Sequence, residues 1–187
     1  LIEIAGPTDA DAPQLANLFA GSTQRHFSAT YQTHDWNWSC GADGCRSDRL
    51  TQPEVTLLGI VTAAGEVIHA PTRAAEIYGG GYIAVVLYAD QKRITLAYTR
   101  DGTVANGYAV HLEPVCVDAN LLAAYRRANG AGRDQLPALR ANQVLGEAAG
   151  AEIIVAVRDR GTFLDPRSRK DWWSTSQTAL LPYEAPK

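Results

Sequence analysis

Four histidines, three cysteines and four tryptophans are the residues of this 187-residue chain best able to do chemistry. His26, His34, His69 and His111 form no H-x-H or H-x3-H pair. No strand or helix turn therefore offers two imidazoles to one metal ion. His69 precedes Ala70-Pro71 and reads as a turn residue. His111, between Val110 and Leu112, reads as a structural histidine, with a role in a groove as the alternative. His26, His34-Asp35 and Glu152 could assemble only a non-standard zinc site. The sequence contains no G-x-S-x-G elbow, P-loop or H-E-x-x-H. Glu54, Glu66, Asp90 and Glu113 show no spacing that marks an acid/base pair. Cys116 lies between Val115 and Val117 and reads as a buried thiol. Cys40 and Cys45 flank Gly-Ala-Asp-Gly, a loop that a disulfide can close. A bonded pair implies an oxidising compartment; the alternative is two reduced loop cysteines. Trp36 and Trp38 are two apart, so in a strand their rings share a side. They read as a hydrophobic lid over one end of a sheet, with a sugar-stacking platform as the rival.

The elements that must position these residues are mostly strands. Glu54–Val61, Val67–Ala70, Tyr82–Tyr88, Ile94–Tyr98, Tyr108–Val117 and Ile153–Val157 are short apolar runs. Turn residues separate them: Gly65, Gly79-Gly80-Gly81, Asp101-Gly102, Asn106-Gly107 and Gly161. Tyr82–Tyr88 is apolar on both faces and is expected to be a central strand. Leu1–Ile4 reads as a short apolar lead-in or edge strand. Leu15, Leu18 and Phe19 follow helical spacing and predict a helix over Asp11 to Ala20. A second helix starts at Asp118, with Leu121, Leu122 and Tyr125 as its apolar stripe, and stops at Gly130. Phe163-Leu164 completes a hairpin after the 153–157 strand. Trp172 and Trp173 are expected to fold back onto the body, because a free tail would expose two large rings.

The whole chain bounds the function classes. Its length fits one embellished domain able to bury a core. A net charge of −3, with no basic run, argues against nucleic acid. No apolar run reaches the roughly 18 residues needed to span a bilayer. The chain starts at Leu1 and contains no Met, which reads as a mature or trimmed fragment.

The order of pieces resembles the lysostaphin-type peptidoglycan endopeptidases. Ala63-Ala64-Gly65-Glu66-Val67 stands for that family's turn after the first core strand. Tyr78–Gly81 leads into the alternating Ile83–Leu87, and Ile94–Tyr98 follows. Leu139–Gly146 matches a later turn, and Val157–Pro166 matches a closing "V-R-x-x-G-x-x-x-D-P". The match covers roughly residues 55–166, with an inserted hairpin and helix at 101–138. The resemblance implies an antiparallel β-sheet core and a zinc site made of a His, an Asp and the last His of an H-x-H. In the matching register that H-x-H is Glu152-Ile153-Ile154, and Ile154 cannot bind a metal. The early ligand place falls near Arg46–Leu50, where Asp48 is the one potential ligand. The mid-chain histidine place is Thr99 or His111.

The expectation is a mainly β fold with two peripheral helices. Residues 1–54 form a Trp- and Cys-bearing extension, 55–166 the core, and 167–187 a tail packed on it. The function expected is non-catalytic binding of a cell-wall glycan or peptide, or of a protein partner, outside the cytoplasm. No cofactor or metal is expected. The rivals are a hydrolase with a rearranged site and an assembly module. The candidate groove residues are His111, Glu152, Asp48, Arg46, Thr99, Tyr82, Trp36 and Trp38.

Overall fold

The structure is a computed structural model that describes residues 8–21, 25–73, 75–77, 79–99 and 106–174. Leu1–Ile4, Tyr78, the Asp101-Gly102 turn and the tail from residue 175 lie outside the described residues. The strands are β1 (Phe27–Tyr31), β2 (His34–Asn37), β3 (Cys45–Arg49), β4 (Leu57–Val61), β5 (Val67–His69), β6 (Tyr82–Ala89) and β7 (Ile94–Ala97). They continue with β8 (Tyr108–Glu113), β9 (Val115–Val117), β10 (Ala138–Arg140), β11 (Val144–Ala148), β12 (Glu152–Asp159) and β13 (Thr162–Leu164). Among the described residues two α-helices, α1 (Ala119–Gly130) and α2 (Arg169–Trp172), accompany them. The fold is mainly β and its sheets are antiparallel, as the alternating runs predict.

The main sheet runs β1-β4-β12-β8-β7-β6-β10, with β13 pairing the second half of β12. A smaller sheet runs β5-β11-β9, and β2-β3 stands as a separate hairpin. Period-two alternation decides what each main strand buries. Leu58, Ile60, Ile94, Leu96, Val110, Leu112, Ile153, Val155 and Val157 all point inward and are fully buried. They share one core with Ile68, Val115 and Leu145 of the smaller sheet and with Leu15 and Leu18. Each such side chain contributes about 1.5–3 kcal/mol by leaving water. The intervening residues Thr95, His111, Glu113, Glu152 and Ile154 lie on the outer face, which is half open to solvent. That outer face is where chemistry can happen.

Several expectations need correcting. The 11–20 segment forms only a 3-10 turn over Leu15–Leu18. Gln14 bridges Thr72 and Phe19 bridges Ile68, so strand-like pairing at both ends outcompetes the helix. Pro13 also disfavours a helical Ala12. Tyr108–Val117 is two strands, because Pro114 has no N–H to donate and ends the ladder. β8 sits in the middle of the main sheet between β7 and β12, although the family resemblance makes it part of an insertion. β9 crosses into the smaller sheet. β6 is buried over Ile83–Val86, but it is second from the sheet's end and exposes Tyr88. The three glycines 79–81 all hold positive φ, which explains why that turn has no other residue type.

The second helix runs as expected. Asp118 caps it by accepting from the Leu121 N–H, and Leu121, Leu122 and Tyr125 are buried. Trp172 and Trp173 do pack on the body. Trp172 lies edge-on to Tyr108 at 5.4 Å and Trp173 lies 5.1 Å from Phe27. Among the described residues, no helix is long and apolar enough to cross a membrane.

Candidate functional site

The β2–β3 hairpin is built from a short polar sequence with a disulfide at its tip. Cys40 and Cys45 are bonded, with Cα atoms 5.9 Å apart. Trp36 pairs with Arg46 and His34 with Arg49. One residue separates the partners on β2 but two on β3, so β3 carries a bulge at Ser47-Asp48. The bulge brings Arg46 and Arg49 to the face that carries His34 and Trp36, since cross-strand partners share a face. Asp35 and Asp48 are left on the opposite face. A hairpin of mixed charge is thereby sorted into a basic side and an acidic side.

Trp36 and Trp38 are 48% and 76% exposed. Their rings stand edge to face, with centroids 6.3 Å apart. The Trp36 indole N–H donates to the Asp43 carbonyl at 3.2 Å, and its ring lies over Gly44, where any Cβ would collide with it. The expected lid over the sheet is therefore not what these rings form. The two-stranded hairpin stands outside the main sheet, so the rings face water as a fixed apolar corner.

Beside the hairpin is a groove of ≈ 500 Å³ lined by Thr30, Tyr31, Gln32, His34, Arg46, Arg49, Glu54 and Val55. His34 Nδ1 lies 2.9 Å from the Ser47 carbonyl and must donate to it. Nε2 is then left to accept when neutral or donate when protonated. Tyr31 connects this groove to Glu152. Its hydroxyl donates to Glu152 Oε2 at 3.0 Å, and Ser28 Oγ donates to Glu152 Oε1. The hydrogen bond to the carboxylate raises the Tyr31 pKa, with burial and the negative charge of Glu152 adding to it. Glu152 lies across Gly59, whose missing side chain makes the room: a Cβ there would strike the carboxylate and the Ser28 hydroxyl.

A second group lies farther along the same outer face. His111 Nε2 is 3.3 Å from Glu113 Oε2, and Nδ1 is 2.9 Å from Thr95 Oγ1. With Nε2–H directed at Glu113, Nδ1 accepts from the Thr95 hydroxyl. Arg93 continues the chain of charges, reaching Asp90 at 2.7 Å and Glu113 at 4.0 Å. A cleft of ≈ 710 Å³ opens there, lined by residues including Lys92, Arg93, Glu113, Arg126 and Ile154. Ile154 pairs with both Gly59 and Glu113, so it separates the Glu152 group from the His111 group. Thr95, His111 and Glu113 have the composition of a nucleophile, base and orienting acid. Thr95 is paired on both sides, with Tyr88 and His111, so its backbone N–H belongs to the ladder and cannot serve an oxyanion.

The structure thus brings some sequence candidates together and scatters others. Arg46 lines the groove beside the Trp36 hairpin, and Glu152 adjoins it through Tyr31. His111 is in the second group. Asp48 is exposed on the far face of the hairpin. Thr99 is fully buried, because it lies where Gly107 packs against the backbone, so it cannot meet a ligand from solvent. Tyr82 is at the other end of the sheet, under the Arg140 guanidinium at 4.5 Å. Cys116 is exposed, contrary to expectation: in β9 alternation sends Val115 inward and Cys116 out. Tyr31, Ser28, Arg49, His34 and Glu113 are the functional neighbours that pattern reading does not single out as one site. Arg49 is legible only through the bulge, which no local motif announces. Among the described residues no group of three or more His, Cys, Asp and Glu side chains is placed to hold a metal ion.

Comparison with known proteins finds no matching family model, no matching curated protein and no matching solved structure. Nothing in those comparisons links the chain to the lysostaphin-type domain.

Proposed function

We propose that this protein is a non-catalytic binding domain of the cell envelope or extracellular space, which takes a glycan on its β2–β3 side. In this reading it is a relative of the lysostaphin-type domain that has lost the metal site, and Ile154 stands where a ligand would be. The observation that carries the reading is the pair of exposed tryptophans on a disulfide-closed hairpin. Two large rings in water cost hydrophobic free energy unless something covers them, and an indole face suits the apolar face of a pyranose ring. The bonded Cys40–Cys45 pair supports an oxidising compartment. The groove next to the rings gives a bound chain a second place to rest.

The test is co-sedimentation with purified insoluble cell-wall glycan. Wild-type protein is expected to pellet with it, and Trp36→Ala/Trp38→Ala is expected to stay in the supernatant while keeping the thermal unfolding midpoint. The same preparation is assayed for bound zinc and for chelator-sensitive release of soluble fragments. Stoichiometric zinc with such release means a hydrolase, and the proposal fails. Failure of the wild type to pellet, together with concentration-dependent oligomers that the double variant abolishes, favours an assembly surface instead.

A further inference from the structure

Among the described residues the Arg46 and Arg49 side chains find no hydrogen-bond or ion-pair partner, yet both line a concave groove rather than a convex surface. Most surface arginines are merely solvated, and one such residue would mean nothing. Here three independent features coincide. The β3 bulge turns two arginines, three residues apart, to one face, where a regular strand would send them to opposite faces. The Ser47 carbonyl fixes His34 so that its Nε2 is left unengaged. Most of the neighbouring acids lie outside the groove lining. Asp35, Asp48 and Glu152 are not in the groove lining, and Glu152 is held by the Ser28 and Tyr31 hydroxyls. Glu54 is the one carboxylate in the groove lining, set against the two arginines. With two guanidinium groups and one carboxylate, the groove lining carries a net positive charge in a protein whose net charge is −3.

We propose that the ligand of this face is an acidic polysaccharide, with carboxylates on its sugar rings. This rests on the glycan-binding reading above and adds its charge. A pyranose ring packs in the corner made by Trp36 and Trp38. The carboxylate of a neighbouring sugar enters the groove and accepts from the Arg46 and Arg49 guanidinium groups, with His34 Nε2 as a third donor when protonated. Planar guanidinium forks match a carboxylate in two-point contact, which a lysine cannot copy. Charge complementarity sets the choice of acidic over neutral sugar, and the rings set the choice of sugar over acidic peptide.

The test is calorimetric titration of the whole chain with an oligogalacturonate, a neutral chito-oligosaccharide and polyglutamate. Oligogalacturonate is expected to bind most tightly and to weaken as salt is raised. Arg46→Gln/Arg49→Gln is expected to lower its affinity by about tenfold or more and to weaken any binding of the neutral sugar by a much smaller factor. Trp36→Ala/Trp38→Ala is expected to lose both sugars. Arg46→Lys/Arg49→Lys keeps the charge and is expected to recover only part of the affinity, which separates two-point recognition from simple attraction. Equal binding of neutral and acidic sugars, insensitive to the arginine changes, overturns the acidic ligand and leaves the glycan reading standing. Polyglutamate binding without oligogalacturonate binding overturns the inference in favour of an acidic peptide. No binding of any probe by a wild type that still pellets with cell-wall glycan also overturns it.

Discussion

Arg73 poses the sharpest question at the scale of one residue. Its side chain has no exposure, and among the described residues none of its three guanidinium nitrogens has a hydrogen-bond partner. Burial lowers its pKa, and the charge of Asp11, 3.8 Å away, only partly opposes that. Its face lies 5.8 Å from the centre of the Tyr98 ring. A charge taken out of water and not compensated by hydrogen bonds costs stability. Arg73→Met keeps most of the volume and removes the charge, and Asp11 remains partly solvated. The expected result is an unfolding free energy in urea that is unchanged or higher, by up to about 1–4 kcal/mol. A large loss would mean instead that hydrogen bonds hold the guanidinium and that its charge stabilises the fold. Nothing in the sequence marks Arg73, which sits in a connection between two strands. Burial of a charged side chain is decided by what packs over it, and no local pattern encodes that.

At the scale of the element, turns and strands differ in how much the sequence reveals. The β6–β7 turn is readable from Asp90-Gln91-Lys92, and its chemistry explains why. Burial pushes the Asp90 carboxyl up, but the Lys92 and Arg93 backbone N–H groups, the Arg93 side chain and the Tyr88 hydroxyl outweigh it and hold the pKa at about 2. An unfolded aspartate titrates near 4. A depressed folded pKa means stability present above about pH 4 and lost as the pH falls through about 2. Asp90→Asn should therefore unfold more easily than wild type at pH 7, by about 1 kcal/mol once solvent screening of this surface group is allowed for. The gap should close in denaturant titrations taken down to about pH 2. The β2–β3 hairpin is the opposite case. Its strands are polar, its bulge has no signature, and its fold depends on a short disulfide loop whose cysteines are 5 residues apart. A loop that short removes little entropy from the unfolded chain. Cys40→Ser/Cys45→Ser should move the thermal midpoint very little, since no residue of the hairpin belongs to the buried core cluster. It should instead speed proteolysis between residues 34 and 49 and weaken the ligand binding proposed above. A large drop in the midpoint would show that the hairpin is coupled to the core.

At the scale of the whole molecule, the outer face is legible in the sequence only in fragments. Alternation in β8 and β12 separates His111 and Glu152 from their buried neighbours, so their exposure follows from periodicity. Their separation by Ile154 depends on register between strands far apart in sequence, which periodicity cannot supply. The same limit explains Thr99 and Tyr82, which one-dimensional spacing groups with residues that the sheet holds elsewhere. The closing of the molecule, by contrast, is readable, because two tryptophans near the end of an otherwise polar segment need cover. Trp172 donates from its indole N–H to the Asp165 carbonyl at 2.8 Å, and Trp173 donates to the Pro166 carbonyl at 2.9 Å. Their rings meet Tyr108 of β8 and Phe27 of β1, so this one short helix fastens the central strand and the edge strand of the main sheet together. Ser168 caps that helix by accepting from the Asp171 N–H. Trp172→Ala empties a buried ring site and orphans a carbonyl, at an expected cost of about 3–5 kcal/mol in urea unfolding. Trp173→Ala removes the ring above Phe27, and β1 carries Ser28 and Tyr31, which hold Glu152. It should therefore reach the binding face as well as the stability, with faster amide exchange along β1 in hydrogen-exchange mass spectrometry than in β7 or β8. Equal exchange in all three strands would mean that the C-terminal helix does not brace the edge on which the groove is built.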